Sequence, residues 1–479
     1  MENSISIPAS SRKERRSKPK KASAAKAVGR FNVPKIFLLL SITIGILLSF
    51  SLPLFNESDG QYHFVDATNM VGLTTDITSY GESASNWNGF SSVASAIQDR
   101  DYFDRYFVQK VHSADMSQLP RLNKISPILS FDYLGHLIPA AGVWLGYHIY
   151  PSMGIMIIVA RLLQTFISSF VLYFIIKRLK GGQLLFAAVA LSPTIMNQMA
   201  SLSYDMTSYL FAAGIVAFAI NACFREKLSF RLIAEMLVIS LLSFFFLKTN
   251  LILFLVLFPI LIIGLWLANR KPKDDLLKHE GVKQKFNRTR VLIAGLVAIV
   301  IILLIGQIIT AKYGGIFSTL GRLLVNFTYF WGDGRLLSRN IMQVFASPLG
   351  LANHVPLYAT ALWFILIALI AFSEEKFIKS KWIAYSSLVL FLGGIAAVYY
   401  GYFAANYDST PRGMILGQIA EIQGRYFTPS ALLLPLIVGY KGFKLKVTSK
   451  ASLVTMMIIV VILTNGLLVF GTWFSLINT

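Results

Sequence analysis

The chain is 479 residues long, 55% hydrophobic and only 14% charged, with a mean hydropathy of +0.62. A soluble protein carries nearer a quarter charged residues, so a water-soluble globular domain is excluded, and the one cysteine, Cys223, excludes an internal disulfide framework and a cysteine metal cluster. The net charge of +21 does not mark a nucleic-acid partner: the Lys and Arg gather in short loops on alternate sides of the apolar runs, the distribution that fixes orientation in a bilayer.

In chain order, residues 1–35 read as a disordered basic cytoplasmic tail, rich in Lys, Arg, Ser and Ala and poor in aromatics. Residues 36–479 read as a single integral membrane domain. The first span lies near 36–55 and is followed by a large extracytoplasmic loop, 56–127, where acidic residues outnumber basic ones. Residues 128–150, with Asp132, His136 and His148, read as a re-entrant or interfacial helix, because a full crossing there would put Lys177 and Arg178 on the wrong side. Spans follow near 153–176, 183–200, 206–223, 232–247 and 251–268, the last two joined by a tight hairpin at Lys248. A basic loop, 269–290, precedes a span near 291–311 and a second large extracytoplasmic loop, 312–354. Spans near 355–372, 382–403, 425–440 and 452–477 complete a polytopic all-α bundle of about 11 spans, amino terminus inside and carboxyl terminus outside. Two outer segments, 93–111 and 316–331, carry apolar stripes at helical spacing and read as helices lying along the membrane surface or capping the bundle.

The ionisable residues beside these runs fall at one end of them. Asp59, His63, Arg161, Asp205, Lys248, Glu421 and Arg425 come from separate segments, and all are placed near the extracytoplasmic surface. A charge at a helix centre in hydrocarbon costs on the order of 2.5–3.5 kcal/mol, so charges converging at one depth indicate a site. Glu57 and Asp59 follow the first span, where a carboxylate would take a proton from an acceptor hydroxyl or hold a divalent cation. Lys248 tips a hairpin with almost no loop, either snorkelling to water or binding an anion. Arg161, several residues inside its run, needs a partner, for which Asp205 or Glu421 would serve. Arg425 and Tyr426 open a span from outside, where a helix amino terminus adds positive potential suited to phosphate, with Arg322, Arg335 and Arg339 nearby in the second loop. The histidines show no paired metal spacing, and only His63 gains meaning from its neighbours.

Four passages together resemble a bacterial family of polytopic membrane proteins, number 2142 among the domains of unknown function, which looks related to GT-C glycosyltransferases. Ser58 to Phe64 is similar to its P-D-E-x-x-H-F motif, with Asp59 and His63 matching, Gly60 in place of Glu, and Glu57 two residues before Asp59. Leu191-Ser192-Pro193 and Ala200 to Asp205 resemble its L-S-P and A-S-x-S-x-D. Leu247-Lys248-Thr249 resembles its L-K-P hairpin, and Gln423 to Pro429 its Q-G-R-Y-F-x-P. Tyr133 to Arg161 also follows the family's Gly-rich interfacial helix and intramembrane Arg. The resemblance implies a GT-C-like architecture in the bacterial cytoplasmic membrane. It implies a polyprenyl-phosphate sugar donor and an envelope glycan acceptor as partners besides the lipid bilayer. An acidic residue of the first loop would work at the reacting centre. Asp59 is then the expected base or cation ligand, with Mg or Mn as the ion, and His63 would orient Asp59 or the acceptor. Lys248, Arg425, Arg161 and Tyr426 would hold the donor phosphate, with Asp205 positioning Lys248 or Arg161. A transporter or flippase, a polymerase or ligase of lipid-linked glycans, and a non-catalytic membrane protein are the alternatives.

Overall fold

The computed structural model describes residues 31–57, 59–80, 100–112, 128–225, 228–269, 300–301, 303–328, 347–348, 355–409, 423–440 and 449–477. Contacts divide the chain after Asn32, and the unit from Val33 onward carries everything below. The tail at 1–30, Ser58, Glu421, and Arg335 and Arg339 lie outside the described residues.

Helix α1 (Val33–Ser51) starts with Pro34 in its first turn, where a missing N–H costs nothing, and stops before Pro53. Its buried residues Phe37, Leu40, Ile44 and Leu48 recur at helical spacing, while Leu39, Leu47 and Phe50 are exposed. That is how a spanning helix looks when one stripe meets protein and the other meets lipid. In the first loop, α2 (Gly60–Met70) is followed by a 3-10 turn, Ile77–Tyr80, and a single π turn, Asp104–Val108. Only 100–112 of the expected stripe at 93–111 is described, and there Tyr106 is the buried residue. This loop packs a second core of its own, Phe55, Phe64, Tyr80 and Tyr106 against Val143 and Met156.

The latter two residues belong to α3 (Phe131–Ile149) and α4 (Met153–Arg178), which fold back on each other. A Cβ on Gly142 would lie 2.4 Å from Ala160 Cα, and one on Gly146 2.7 Å from Met156 Cα. The G-x-x-x-G spacing therefore lets two backbones touch, the packing membrane helices favour.

The expected span at 183–200 is broken. Helices α5 (Gln183–Ala190) and α6 (Pro193–Met199) are separated by Leu191 and Ser192. The Ser192 hydroxyl accepts from the Ile195 N–H and Pro193 occupies the first turn, so this L-S-P sequence ends one helix and caps the next. All of α6 is buried. Next come α7 (Asp205–Ala222), α8 (Phe230–Phe246), a 3-10 stretch Thr249–Val256 and α9 (Leu257–Asn269). Segments Leu303–Tyr313 and Ile316–Leu324 meet at 75°, where Gly314 and Gly315 take φ of 88° and 90°, a region open to glycine. The second of these opens the amphipathic helix α10 (Ile316–Thr328). Helices α11 (Leu357–Ser373), α12 (Lys381–Ser409) and α14 (Lys450–Ile477) are each continuous α-helices. The expected span at 425–440 is instead two 3-10 stretches, Gly424–Tyr426 and Thr428–Leu433, and a five-residue α13 (Leu434–Val438). Pro429 and Pro435 remove donors and hold it short.

Among the described residues, six helices are long and apolar enough to cross a membrane, or seven with the bent pair as one span. The expected count of about eleven is not confirmed among the described residues: two expected spans are broken, α8 and α11 are shorter at 17 residues each, and residues 291–299 of another lie outside the described residues. The chain is a multi-span membrane protein, and its described residues are all-helical in class.

Candidate functional site

Asp59 precedes α2 with φ 59° and ψ 30°, in the left-handed region. Aspartate tolerates this better than most residues, yet its side chain makes no capping bond. It reaches Arg425 instead, whose Nη2 donates to Asp59 Oδ2 at 2.7 Å across 366 residues of sequence. The adjacent Gly60 is sterically required: a Cβ there would sit 2.9 Å from Phe55 Cα, so this turn has no room for a glutamate at that position.

Arg425 distributes its donors to four acceptors. Nη1 donates to Asp205 Oδ2 at 3.0 Å, Nη2 to the Tyr426 hydroxyl at 2.9 Å as well as to Asp59, and Nε to Gln423 Oε1 at 2.6 Å. Asp205 opens α7, and its other oxygen accepts from Lys248 Nζ at 2.8 Å. One carboxylate thus holds two cations, 43 and 220 residues away in sequence. Lys248 Nζ also lies over the rings of Tyr204 and Tyr426, at 4.8 and 4.4 Å from their centroids, where the π faces share its charge. The hairpin tip is held by its backbone: Lys248 N–H donates to Ser208 Oγ, which donates to the Phe246 carbonyl. Arg425 is 2% exposed and Asp205 8%, whereas Lys248 keeps 15% and Asp59 25%. The cluster is therefore anchored inside and open at Asp59 and Lys248.

Arg161 and Glu57 meet elsewhere. Arg161 Nη1 donates to the Leu52 carbonyl and Nη2 to that of Pro53, each at 2.9 Å, and Nη2 pairs with Glu57 Oε2. Glu57 Oε1 accepts from the Leu202 N–H at 3.4 Å. Arg161 thus closes the carboxyl end of α1, where cations and donors satisfy the last carbonyls. Its partner is Glu57, while Asp205 goes to Lys248 and Arg425.

His63, on the first turns of α2, is fully buried, with Nδ1 2.7 Å from His136 Nε2 and its ring edge-on to Tyr204 at 5.0 Å. Burial first, then His136, Arg425 and Lys248, push its pKa well below the usual imidazole value, because each disfavours a positive ring. His136, on the helix expected to be re-entrant or interfacial, is 0% exposed and joined to the site through His63. The sequence carries the signal as Asp132-x-x-x-His136, a carboxylate and an imidazole one helical turn apart, a spacing that involves no second histidine on the same helix face.

Two buried arginines with their carboxylates, gathered in a bundle of membrane helices, define an integral membrane protein with a polar site built from distant segments. The family described as predicted membrane protein (DUF2142) matches residues 42–434, and the chain belongs to that family. No curated protein and no solved structure matches it.

Proposed function

We propose that the chain is a GT-C-type membrane glycosyltransferase that moves a sugar from a polyprenyl-phosphate donor to a cell-envelope glycan. The reading places the amino terminus in the cytoplasm of a bacterial cell and the Lys248–Arg425 cluster at the extracytoplasmic face, where the lipid donor enters sideways between helices. The observation that carries it is Asp205 held between Lys248 and Arg425, with Asp59 as a second carboxylate on the same guanidinium. A polyprenyl tail is as comfortable in lipid as in a protein groove, so selective affinity comes from the phosphate. Charge-assisted hydrogen bonds contribute about 1.5–3 kcal/mol each. Donor phosphate oxygens suit the fork of Arg425 and the point charge of Lys248. A phosphate that takes the place of Asp59 on Arg425 leaves the Asp59 carboxylate free to accept a proton from the acceptor hydroxyl. Mg or Mn at Asp59 fits poorly, since that carboxylate already faces a guanidinium that repels a second cation, and no step is assigned to a metal there.

Deletion of the gene, followed by compositional analysis of purified envelope polymers, tests the reading. Loss of one sugar decoration, restored by the wild-type chain and not by Asp59→Asn, is the expected result. Accumulation of an intact lipid-linked intermediate identifies a flippase instead, and an unchanged envelope overturns both readings.

A further inference from the structure

We propose that Asp66, Asp132 and His136 form a binding site for one divalent ion that accepts mixed nitrogen and oxygen ligands, Zn2+ or Mn2+, between α2 and α3. The inference does not depend on the glycosyltransferase reading. Asp132 and His136 stand one turn apart on α3, and Asp66 comes from α2, three residues after His63. His136 Nδ1 lies 2.8 Å from the Asp132 carbonyl oxygen, 3.0 Å from Asp66 Oδ2 and 3.4 Å from Asp132 Oδ1. One ligating atom from each of the three side chains falls within 4.8 Å of the others. His136 is 0% exposed, Asp66 3% and Asp132 19%.

One imidazole nitrogen carries at most one hydrogen, and the Asp132 carbonyl is its nearest acceptor. Asp66 Oδ2, buried and aimed at the same nitrogen, makes no hydrogen bond. Two carboxylates drawn to one nitrogen inside the protein repel each other unless a cation lies between them. Their spacing suits an ion. Ligand bonds of about 2.0–2.2 Å place neighbouring ligand atoms roughly 3–3.6 Å apart in octahedral or tetrahedral geometry, and 3.0 and 3.4 Å fall in that span. A donor set of one imidazole and two carboxylates selects Zn2+ or Mn2+ over Ca2+, which takes oxygen alone.

The surroundings match those of bound ions. The Tyr62 hydroxyl donates to Asp132 Oδ2, orienting that carboxylate. His136 Nε2 meets His63 Nδ1 at 2.7 Å, and a metal-bound imidazole turns its other N–H to an acceptor in this way. With the ion on Nδ1, His136 keeps its hydrogen on Nε2 and gives it to His63 Nδ1. His63 then carries its own hydrogen on Nε2, an atom that is buried and makes no hydrogen bond within the protein. The ion would thereby fix His63 as a hydrogen-bond donor through Nε2.

The test uses the full chain in detergent, free of any affinity tag, stripped with chelator, loaded with zinc or manganese and desalted. Elemental analysis is expected to find about one ion per chain, and roughly tenfold less or lower in Asp66→Asn and His136→Gln. His148→Gln, on an exposed residue of the same helix, is expected to keep the ion. X-ray absorption of the loaded wild type is expected to show one imidazole and carboxylate oxygens at about 2.0–2.2 Å, and decides the matter if a variant fails to fold. No ion retained by the wild type, equal retention in Asp66→Asn, or a shell without a single imidazole overturns the proposal. A wild type without metal whose deletion still strips a sugar from the envelope overturns this site alone.

Discussion

Arg161 and Arg425 are both almost completely buried, and each is bound to one carboxylate that follows the first span, Glu57 and Asp59 respectively. Arg161 meets one carboxylate and two main-chain carbonyls in a sealed pocket, with Glu57 4% exposed. Arg425 meets two carboxylates, a phenol and an amide, and its neighbours Asp59 and Lys248 retain access to solvent or substrate. The same side chain, equally desolvated, serves as a fastening in one place and as part of a receptive surface in the other. What separates them is whether every acceptor is fixed by the fold. Main-chain carbonyls cannot be exchanged for a ligand, whereas a carboxylate on a helix-capping turn can.

That contrast can be broken most forcefully at Arg161. Arg161→Met should leave Glu57 buried without a cation, a loss of about 3–5 kcal/mol. The expected outcome is little monodisperse protein by size-exclusion chromatography in detergent, with partial recovery when Glu57→Gln is added. Arg425→Lys should cost less, about 1–3 kcal/mol, since one charge remains while the fork is lost. Protein yield should hold while the envelope sugar disappears in complemented cells; normal decoration would remove Arg425 from phosphate binding. Asp59→Asn should alter thermal stability by under about 1 kcal/mol, because the carboxylate is partly exposed and asparagine accepts the left-handed backbone. It should still abolish decoration.

A pH-dependent effect is expected at a charged contact of the broken helix. Glu374 accepts from the Leu184 and Leu185 N–H groups at the start of α5, and desolvation raises its pKa to about 7. A carboxyl raised in the fold holds an extra proton between its ordinary value and about 7, so its contribution to stability falls as pH rises through that window. Glu374→Gln should therefore gain on the wild type between about pH 5 and about pH 8, read as the difference in melting temperature at the two values. No change in that difference would contradict the burial of this carboxyl.

Much of this was legible in the sequence, and particular residues show why. Hydropathy located α1, α4, α7, α12 and α14 because an uninterrupted apolar run has few other solutions. The meeting of Asp59, Asp205, Lys248 and Arg425 was foreseeable in kind, since each is a costly charge at the end of a run. Pairing was not legible: Arg161 chose Glu57 over Asp205 through the course of the chain after Pro53, a matter of packing between segments over a hundred residues apart. The breaks at Ser192–Pro193 and around Pro429 and Pro435 were written as helix starts and stops and were masked by high hydrophobicity. The Asp132–His136 pair was spelled out at helical spacing, but its meaning required Asp66 from another helix.

The family's shared region stops at residue 434, whereas the load path through the protein does not. From α14, Asn465 Nδ2 donates to the Leu191 carbonyl at the helix break, and Trp473 Nε1 donates to the Ser51 carbonyl at the end of α1. In hydrocarbon such carbonyls have no water to turn to. A chain trimmed to the common segment would carry two stranded backbone acceptors and an uncovered apolar flank on α11. Any minimal version built for biochemistry must therefore keep this closing helix, much as an arch must keep its last voussoir.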